Sequence, residues 1–109
     1  MPFQRLDVYV VAKALAKLVN DAKISDRELR EQATDAAKST FLRLCEGLPL
    51  EGVAMRNKYF NESHASLFET LGAVDLAVSI GVMREADGVT AQELGVRLKA
   101  MLRRLMHSK

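Results

Sequence analysis

Glycine and proline are sparse in this chain, and their scarcity constrains the fold more than any other feature of the sequence. The 109 residues include only 6 glycines and 2 prolines. The long segments between them are rich in Ala, Leu, Glu, Lys and Arg, which are good helix formers. No segment shows the alternation of apolar and polar residues that is typical of a half-buried strand. The sequence therefore predicts an all-α protein.

Apolar residues recur every three or four positions in four of these segments, as expected for amphipathic helices. The predicted helices cover residues 5–20, 26–46 and 53–80, and the fourth begins at residue 90. Short connections between four helices favour an antiparallel up-down-up-down four-helix bundle. A chain of this length is long enough for one core, so we expect residues 1–109 to form a single domain.

Two helix starts are predicted from the motif Ser/Thr-x-x-Glu, in which the two side chains cap the first turn reciprocally. The motif pairs Ser25 with Glu28 at the second helix and Thr90 with Glu93 at the fourth. Gly88 is then expected to lie in the loop before the fourth helix.

The first helix has an apolar arc of roughly 200°, which is wider than one bundle requires. The excess suggests that part of this helix packs against another subunit, together with the outer side of the third helix. The residues predicted for this oligomer interface are Val8, Leu15, Val19, Ala73, Leu76 and Ile80.

Several kinds of site are disfavoured by the sequence. Cys45 is the only cysteine, which rules out an intrachain disulfide and a cysteine-based zinc site and is typical of a reducing cytoplasm. His64 and His107 have no partner at metal-ligand spacing. No apolar stretch approaches the roughly 20 residues needed to cross a bilayer. We expect a cytoplasmic protein with no cofactor, no metal, no small-molecule substrate and no membrane contact.

The C-terminal end is basic, although the net charge of the whole chain is only +2. No acidic residue follows Glu93, and the basic residues after it are Arg97, Lys99, Arg103, Arg104 and Lys109. Clustered Lys and Arg can bind phosphates, and an oligomer would repeat the cluster. The cluster divides between two flanks of the fourth helix, however, and no aromatic residue interleaves it, so base stacking is not indicated. A nucleic-acid patch formed by Arg97, Lys99, Arg103 and Arg104 and a simple solvated helix surface both remain open.

A second set of polar residues lies on one flank of the second helix, within about 60° of one another. The predicted polar network joins Gln32, Ser39, Arg43 and Glu46 to Ser66 and Glu69 of the third helix. If the two flanks meet, Arg43 can pair with Glu69. The network could be a small polar pocket or an RNA-facing groove, or it could only fix helix register or join subunits. A general acid–base pair of Glu46 and Glu69 would need a cleft, and Arg43 would keep both ionised, so we do not expect an enzyme.

The second helix also carries a string of residues known from a protein family. The string is Leu29-Arg30-Glu31-Gln32, Ala36-Ala37-Lys38-Ser39 and Glu46-Gly47. It resembles the second helix of the bacterial four-helix-bundle proteins encoded in 23S rRNA intervening sequences. Further similar segments are Leu6-Asp7-Val8-Tyr9, Tyr59-Phe60-Asn61, Ala65-Ser66 with Glu69, and residues 77–81. That family has Asn, Gly and Gln where this chain has Arg43, Ala65 and Ala73.

The resemblance implies a four-helix bundle that assembles as a ring-like homopentamer, in a family whose molecular function is mostly unassigned. The similar accessory proteins of diversity-generating retroelements are pentameric bundles that bind nucleic acid and a reverse transcriptase. Because fold does not transfer function, two hypotheses follow. The first is a non-enzymatic oligomer that binds RNA or a ribonucleoprotein through its fourth helix. The second is a structural assembly or protein-interaction scaffold that does not bind nucleic acid.

Overall fold

Four helices make up the chain in its computed structural model, which describes residues 3–107 and the side chains of 5–107. The predicted basic residue Lys109 lies outside the described residues. The helices are α1 (Phe3–Asp21), α2 (Arg27–Gly47), α3 (Val53–Ser79) and α4 (Glu85–His107). Residues 3–107 contain no strand. The prediction of an all-α four-helix bundle is confirmed.

Each helix packs against two neighbours. The helix pairs in contact are α1–α2, α2–α3, α3–α4 and α4–α1. Hydrogen bonds at one end of the bundle show the direction of the helices. Arg5 at the start of α1 donates to the carbonyl of Leu48 after α2, at 2.9 Å. Asn57 near the start of α3 donates to the carbonyl of Met106 near the end of α4, at 3.1 Å. Consecutive helices in these pairs therefore run antiparallel, as the short connections predicted.

The connections at the opposite end are tied together by the turn that follows α3. Gly81 has φ 78°, a left-handed conformation that glycine adopts without a steric penalty. Its N–H bonds to Val78 O at 3.1 Å, and the N–H of Val82 bonds to Ala77 O at 2.9 Å, which is the Schellman pattern of a helix end. The carbonyl of Val82 then accepts the backbone N–H of Ser25 at 2.9 Å. The α1–α2 and α3–α4 connections thus lie side by side.

The core lies along the bundle axis and draws on all four helices. Its largest fully buried side chains are Phe60, Leu15, Ile24, Leu44, Leu67, Leu98, Leu102, Val8, Val19, Val74, Thr40 and Thr70. Phe60 was not predicted to face the core. No helix in the described part of the chain is long and apolar enough to cross a membrane.

The burial of α1 contradicts part of the predicted oligomer interface. Val8, Leu15 and Val19 are buried within the chain itself, whereas Val10 is 54% exposed. The physical reason is that α1 packs between α2 and α4, and contact with two neighbouring helices requires a wide apolar stripe. These three residues therefore cannot line a surface for another subunit.

The predicted start of the fourth helix is wrong, because α4 begins at Glu85. Thr90 lies inside the helix, where its hydroxyl donates to the carbonyl of Ala86 at 3.1 Å, so it does not cap with Glu93. Gly88 is a buried helical residue and not part of a loop. Glu85 and Asp87 lie in the first turn, where negative charge is favourable near the N-terminus of a helix.

The glycines of α4 allow it to lie close to α3. An ideal Cβ at Gly88 would lie 2.5 Å from Val78 Cγ2, and one at Gly95 would lie 2.6 Å from both methyl groups of Leu71. Gly88 interrupts the helical pattern of the sequence, but its physical role is this close packing.

The predicted cap of the second helix is also wrong, by one residue. Asp26 is the N-cap of α2, and its carboxylate accepts the N–H of Leu29 at 2.9 Å. The Ser25 hydroxyl donates instead to the carbonyl of Val82, at 3.4 Å. Ser25 and Glu28 therefore do not form a capping box.

Candidate nucleic-acid interface

The basic residues of α4 lie on two different flanks, as the helical spacing predicted. Lys99 faces α3, because its Nζ lies 5.2 Å from the ring centroid of Phe68. Arg103 follows one turn later on the same flank. Arg97 and Arg104 are exposed, and helical periodicity places them on the other flank, beyond the buried stripe. The first pair therefore lies on the side of α4 that packs against α3, and the second on the side that packs against α1.

A groove of about 510 Å³ lies between α3 and α4 at this position. It is lined by Asn57, Asn61, His64, Lys99, Arg103, Met106 and His107. The lining residues include two cationic side chains and no carboxylate. The groove therefore concentrates positive charge in a partly enclosed space, where charge interactions are less screened than on an open surface.

Two aromatic rings of α3 lie beside these cations. His64 and Phe68 pack edge to face with their ring centroids 4.9 Å apart, and Phe68 is 53% exposed. The expectation that no aromatic residue interleaves the basic cluster is therefore wrong, because it considered the fourth helix alone. The i, i+4 spacing of His64 and Phe68 was visible in the sequence, but which flank of α3 meets α4 was not.

Two polar atoms at this groove are buried without a hydrogen-bond partner in the described part of the chain. They are Nε2 of His64 and Oδ1 of Asn57, although Asn57 Nδ2 bonds to Met106 O. Leaving such an atom unsatisfied costs about 1–3 kcal/mol. The groove therefore has hydrogen-bonding capacity that the chain itself does not use.

The surroundings of His64 also affect its charge. Burial of the imidazole lowers the pKa of His64 below its usual 6.5, and the positive charges of Lys99 and Arg103 lower it further. The neutral ring is therefore favoured near pH 7, and a nearby negative charge would favour the protonated ring.

The predicted polar network between the second and third helices is present only in part. The flanks do meet, because the hydroxyls of Ser39 and Ser66 lie 2.9 Å apart. Beside them lies a buried set of polar residues outside the predicted network. Ser63 donates to Thr40 O at 2.6 Å, and the hydroxyls of Thr40 and Thr70 lie 3.5 Å apart. The Thr40 and Thr70 hydroxyls each donate to a carbonyl of their own helix, those of Ala36 and Ser66. The bond from Ser63 to Thr40 O is therefore the one that joins α2 to α3 in this set.

The other members of the predicted network do not join the helices. Arg43 pairs with Glu46 on its own helix, and within residues 3–107 it forms no ion pair with Glu69. Gln32 and Glu69 are exposed. A partner three residues away on the same helix is within easy reach of Arg43. The structure therefore does not bring Glu46 and Glu69 together around Arg43.

The outer side of α3 carries the remaining residues of the predicted oligomer interface. Leu76 and Ile80 are about half exposed, and Ala73 is partly buried beside them. The four-residue spacing of Leu76 and Ile80 places them on one face of the helix. They form an apolar surface that the bundle itself does not cover.

The described residues show neither a metal-binding cluster nor an activated cysteine. Within residues 3–107, no group of three or more His, Cys, Asp or Glu side chains is placed to hold a metal ion. Cys45 is partly buried, and burial raises the pKa of its thiol. Since the thiolate is the nucleophilic form, this shift disfavours a reactive cysteine.

Comparison with known proteins gives no family for this chain. No protein-family model matches the sequence, and no curated protein matches it significantly. The similarity to the proteins of 23S rRNA intervening sequences therefore stays a prediction that rests on the residues quoted above.

Proposed function

We propose that this protein is a non-enzymatic, homo-oligomeric bundle of the bacterial cytoplasm that binds RNA or a ribonucleoprotein through the basic residues of α4. The observation that carries the proposal is the groove between α3 and α4, whose lining includes Lys99 and Arg103 and no carboxylate. Phe68 lies at its edge, with Lys99 over the ring. Clustered cations with a nearby aromatic face are typical of surfaces that bind single-stranded nucleic acid.

Self-association would support RNA binding, because each subunit of an oligomer adds one copy of the basic surface of α4. A single subunit offers only four described basic residues after Glu93, which is a small electrostatic footprint. A closed ring would present the same residues once per subunit and strengthen the local field. The half-exposed Leu76 and Ile80 support an interface, since burying the exposed half of each side chain contributes about 1 kcal/mol. The pentamer is the state that the family resemblance suggests.

A triple charge reversal tests the RNA-binding proposal. Arg97→Glu, Arg103→Glu and Arg104→Glu together should abolish RNA retention in a filter-binding assay, while the circular dichroism spectrum stays that of the wild type. A control with the same change in net charge reverses Lys23, Lys38 and Lys58, which are exposed on other parts of the bundle. The control should retain RNA. Undiminished retention by the α4 triple variant would refute the proposal.

A second candidate function is a structural assembly or protein-interaction scaffold that does not bind nucleic acid. The observation in its favour is the uncovered apolar surface at Leu76 and Ile80. This candidate predicts an oligomer free of nucleic acid at physiological salt, and recovery of a protein partner from the native host. It also predicts that Leu76→Asp with Ile80→Asp gives folded monomers in analytical ultracentrifugation. Recovery of the wild type with bound RNA would favour the first proposal instead.

A further inference from the structure

We propose that the groove between α3 and α4 holds a phosphate group between Lys99 and Arg103, beside His64, and that this phosphate belongs to the backbone of the bound RNA. The assignment to RNA rests on the proposed function. The phosphate site itself rests on the geometry of the groove.

The spacing of the two cations suits a single tetrahedral anion. Lys99 and Arg103 are four residues apart, so their Cα atoms are separated by about 6 Å along the helix axis and lie on the same face. Both side chains line the same groove. The guanidinium can bind two phosphate oxygens at once and the ammonium a third.

The other basic pair of α4 lacks this arrangement. Arg97 and Arg104 are seven residues apart, or about 10 Å along the axis. Neither is among the lining residues of the groove. They can contact two different phosphates, but they do not converge on one. The two pairs carry equal charge on the same helix, so Arg97 and Arg104 serve as the matched control for Lys99 and Arg103.

His64 supplies a further hydrogen-bonding group at the same place. Its ring lines the groove, and its Nε2 has no hydrogen-bond partner in the described part of the chain. Because Nε2 is itself buried, the ring must reorient for this nitrogen to reach an anion held by Lys99 and Arg103. When the ring is protonated, both of its nitrogens are donors, so His64 can then bond a phosphate oxygen.

Phosphate binding should be coupled to protonation of His64. The charged or titratable groups that face it come from α4 and are Lys99, Arg103 and His107, while its neighbours on α3 in the groove are the amides Asn57 and Asn61. The two cations lower the pKa of His64 in the free protein, in addition to the larger effect of burial. A bound anion cancels their repulsion and raises that pKa, so binding takes up a proton. Affinity should therefore increase as the pH falls through the range in which His64 titrates.

The experiment compares two double variants that each remove two positive charges from α4. They are Lys99→Gln with Arg103→Gln, and Arg97→Gln with Arg104→Gln. Binding of a fluorescein-labelled single-stranded RNA is measured by fluorescence anisotropy at about 0.1 M salt. The first variant should lose affinity by a factor on the order of ten or more, because it loses charge-assisted hydrogen bonds in a partly enclosed site. The second should lose only a few-fold, because its two side chains make separate contacts and do not line the groove.

The outcomes separate failure of this inference from failure of the proposed function. Equal losses in the two variants mean diffuse electrostatic binding, which overturns the phosphate site and leaves RNA binding intact. If the wild type does not bind RNA, the proposed function fails, and a titration with inorganic phosphate then tests the site alone. The NMR signals of the His64 ring are followed during this titration. If they shift in the wild type but not in the Lys99 and Arg103 variant, the result supports a site for a small phosphorylated ligand. No shift overturns the site.

A pH series gives a readout that a purely structural role would not change. Wild-type affinity for the RNA should rise between about pH 7.5 and pH 5.5, and His64→Asn should remove most of that rise. An undiminished rise in His64→Asn would contradict the role of His64.

Discussion

Replacing Gly95 with alanine tests whether close packing of α4 on α3 is the reason for the glycines of α4. Gly95 is buried in the middle of α4. An ideal Cβ there would lie 2.6 Å from both methyl groups of Leu71 and 3.0 Å from its Cγ. Rotating the isopropyl group of Leu71 exchanges its methyl positions but leaves Cγ in place. Either the whole Leu71 side chain or α4 itself must therefore move.

Gly72 of α3 provides the matched control. It also lies inside a long helix, and an added Cβ there meets nothing within 4 Å. Glycine-to-alanine substitution inside a helix gains about 1 kcal/mol of helix propensity, and both variants share this gain. Overpacking in a well-packed site costs about 1–3 kcal/mol. The free energy of unfolding of Gly95→Ala should therefore be lower than that of Gly72→Ala by about 1–3 kcal/mol, with Gly72→Ala more stable than the wild type.

Urea unfolding followed by circular dichroism at 222 nm measures these differences. For a domain of about 100 residues, a difference of 1 kcal/mol also shifts the melting temperature by about 4–8 °C. Equal stability of Gly95→Ala and Gly72→Ala would refute the reasoning, because it would mean that α4 has room for a Cβ. The slope of unfolding against urea should stay constant across the variants, since a changed slope would indicate a change in the exposed surface rather than a local clash.

Three further predictions concern the cap of α2, the core and the groove. Asp26→Ala should lower the free energy of unfolding by about 1 kcal/mol through loss of the N-cap, whereas Ser25→Ala should lower it less. A larger loss for Ser25→Ala in urea unfolding would instead support the capping box predicted from the sequence. Phe60→Ala should destabilise the fully buried core by about 3–5 kcal/mol, and a loss below 1 kcal/mol would show that the ring is not packed as described. Because the pKa of His64 is lowered in the folded protein, the unfolded chain binds more protons near pH 6.5, so the free energy of unfolding should decrease as the pH falls through that value. His64→Asn should reduce this decrease, and an unchanged pH dependence in the variant would contradict the account.

The local features of the sequence predicted the helices well and their ends less well. Gly81 follows the end of α3, where one residue must have a positive φ. A glycine at the end of a helical pattern is the sequence signal for this conformation. Gly88 looks the same in the sequence but lies inside α4, since its role is close contact with Val78 and not a turn. A glycine that ends a helix and a glycine that packs a helix cannot be distinguished without the neighbouring helix.

The apolar arc of α1 does not show by itself which helices cover it, for a similar reason. Its wide apolar arc is real, but a helix at the corner of a square bundle contacts two neighbours, which is enough to bury Val8, Leu15 and Val19. Val10, which helical periodicity places on the opposite edge of the arc from Val19, is exposed, because periodicity gives relative angles and not the direction of the core.

The candidate site shows the same limit on what one helix can reveal. The spacing of Lys99 and Arg103 was enough to place them on one flank, apart from Arg97 and Arg104. Their proximity to His64 and Phe68 depends on the contact between α3 and α4. The missed part of the site is therefore the part that comes from the neighbouring helix.

Native mass spectrometry of protein purified without nuclease, at a salt concentration of about 0.15 M, tests the central claim of an RNA-binding oligomer most directly. The account predicts a mass that corresponds to several subunits, five if the family resemblance holds, plus additional mass that ribonuclease removes. A bare oligomer would contradict RNA binding and favour the scaffold. A bare monomer would contradict both RNA binding and self-association.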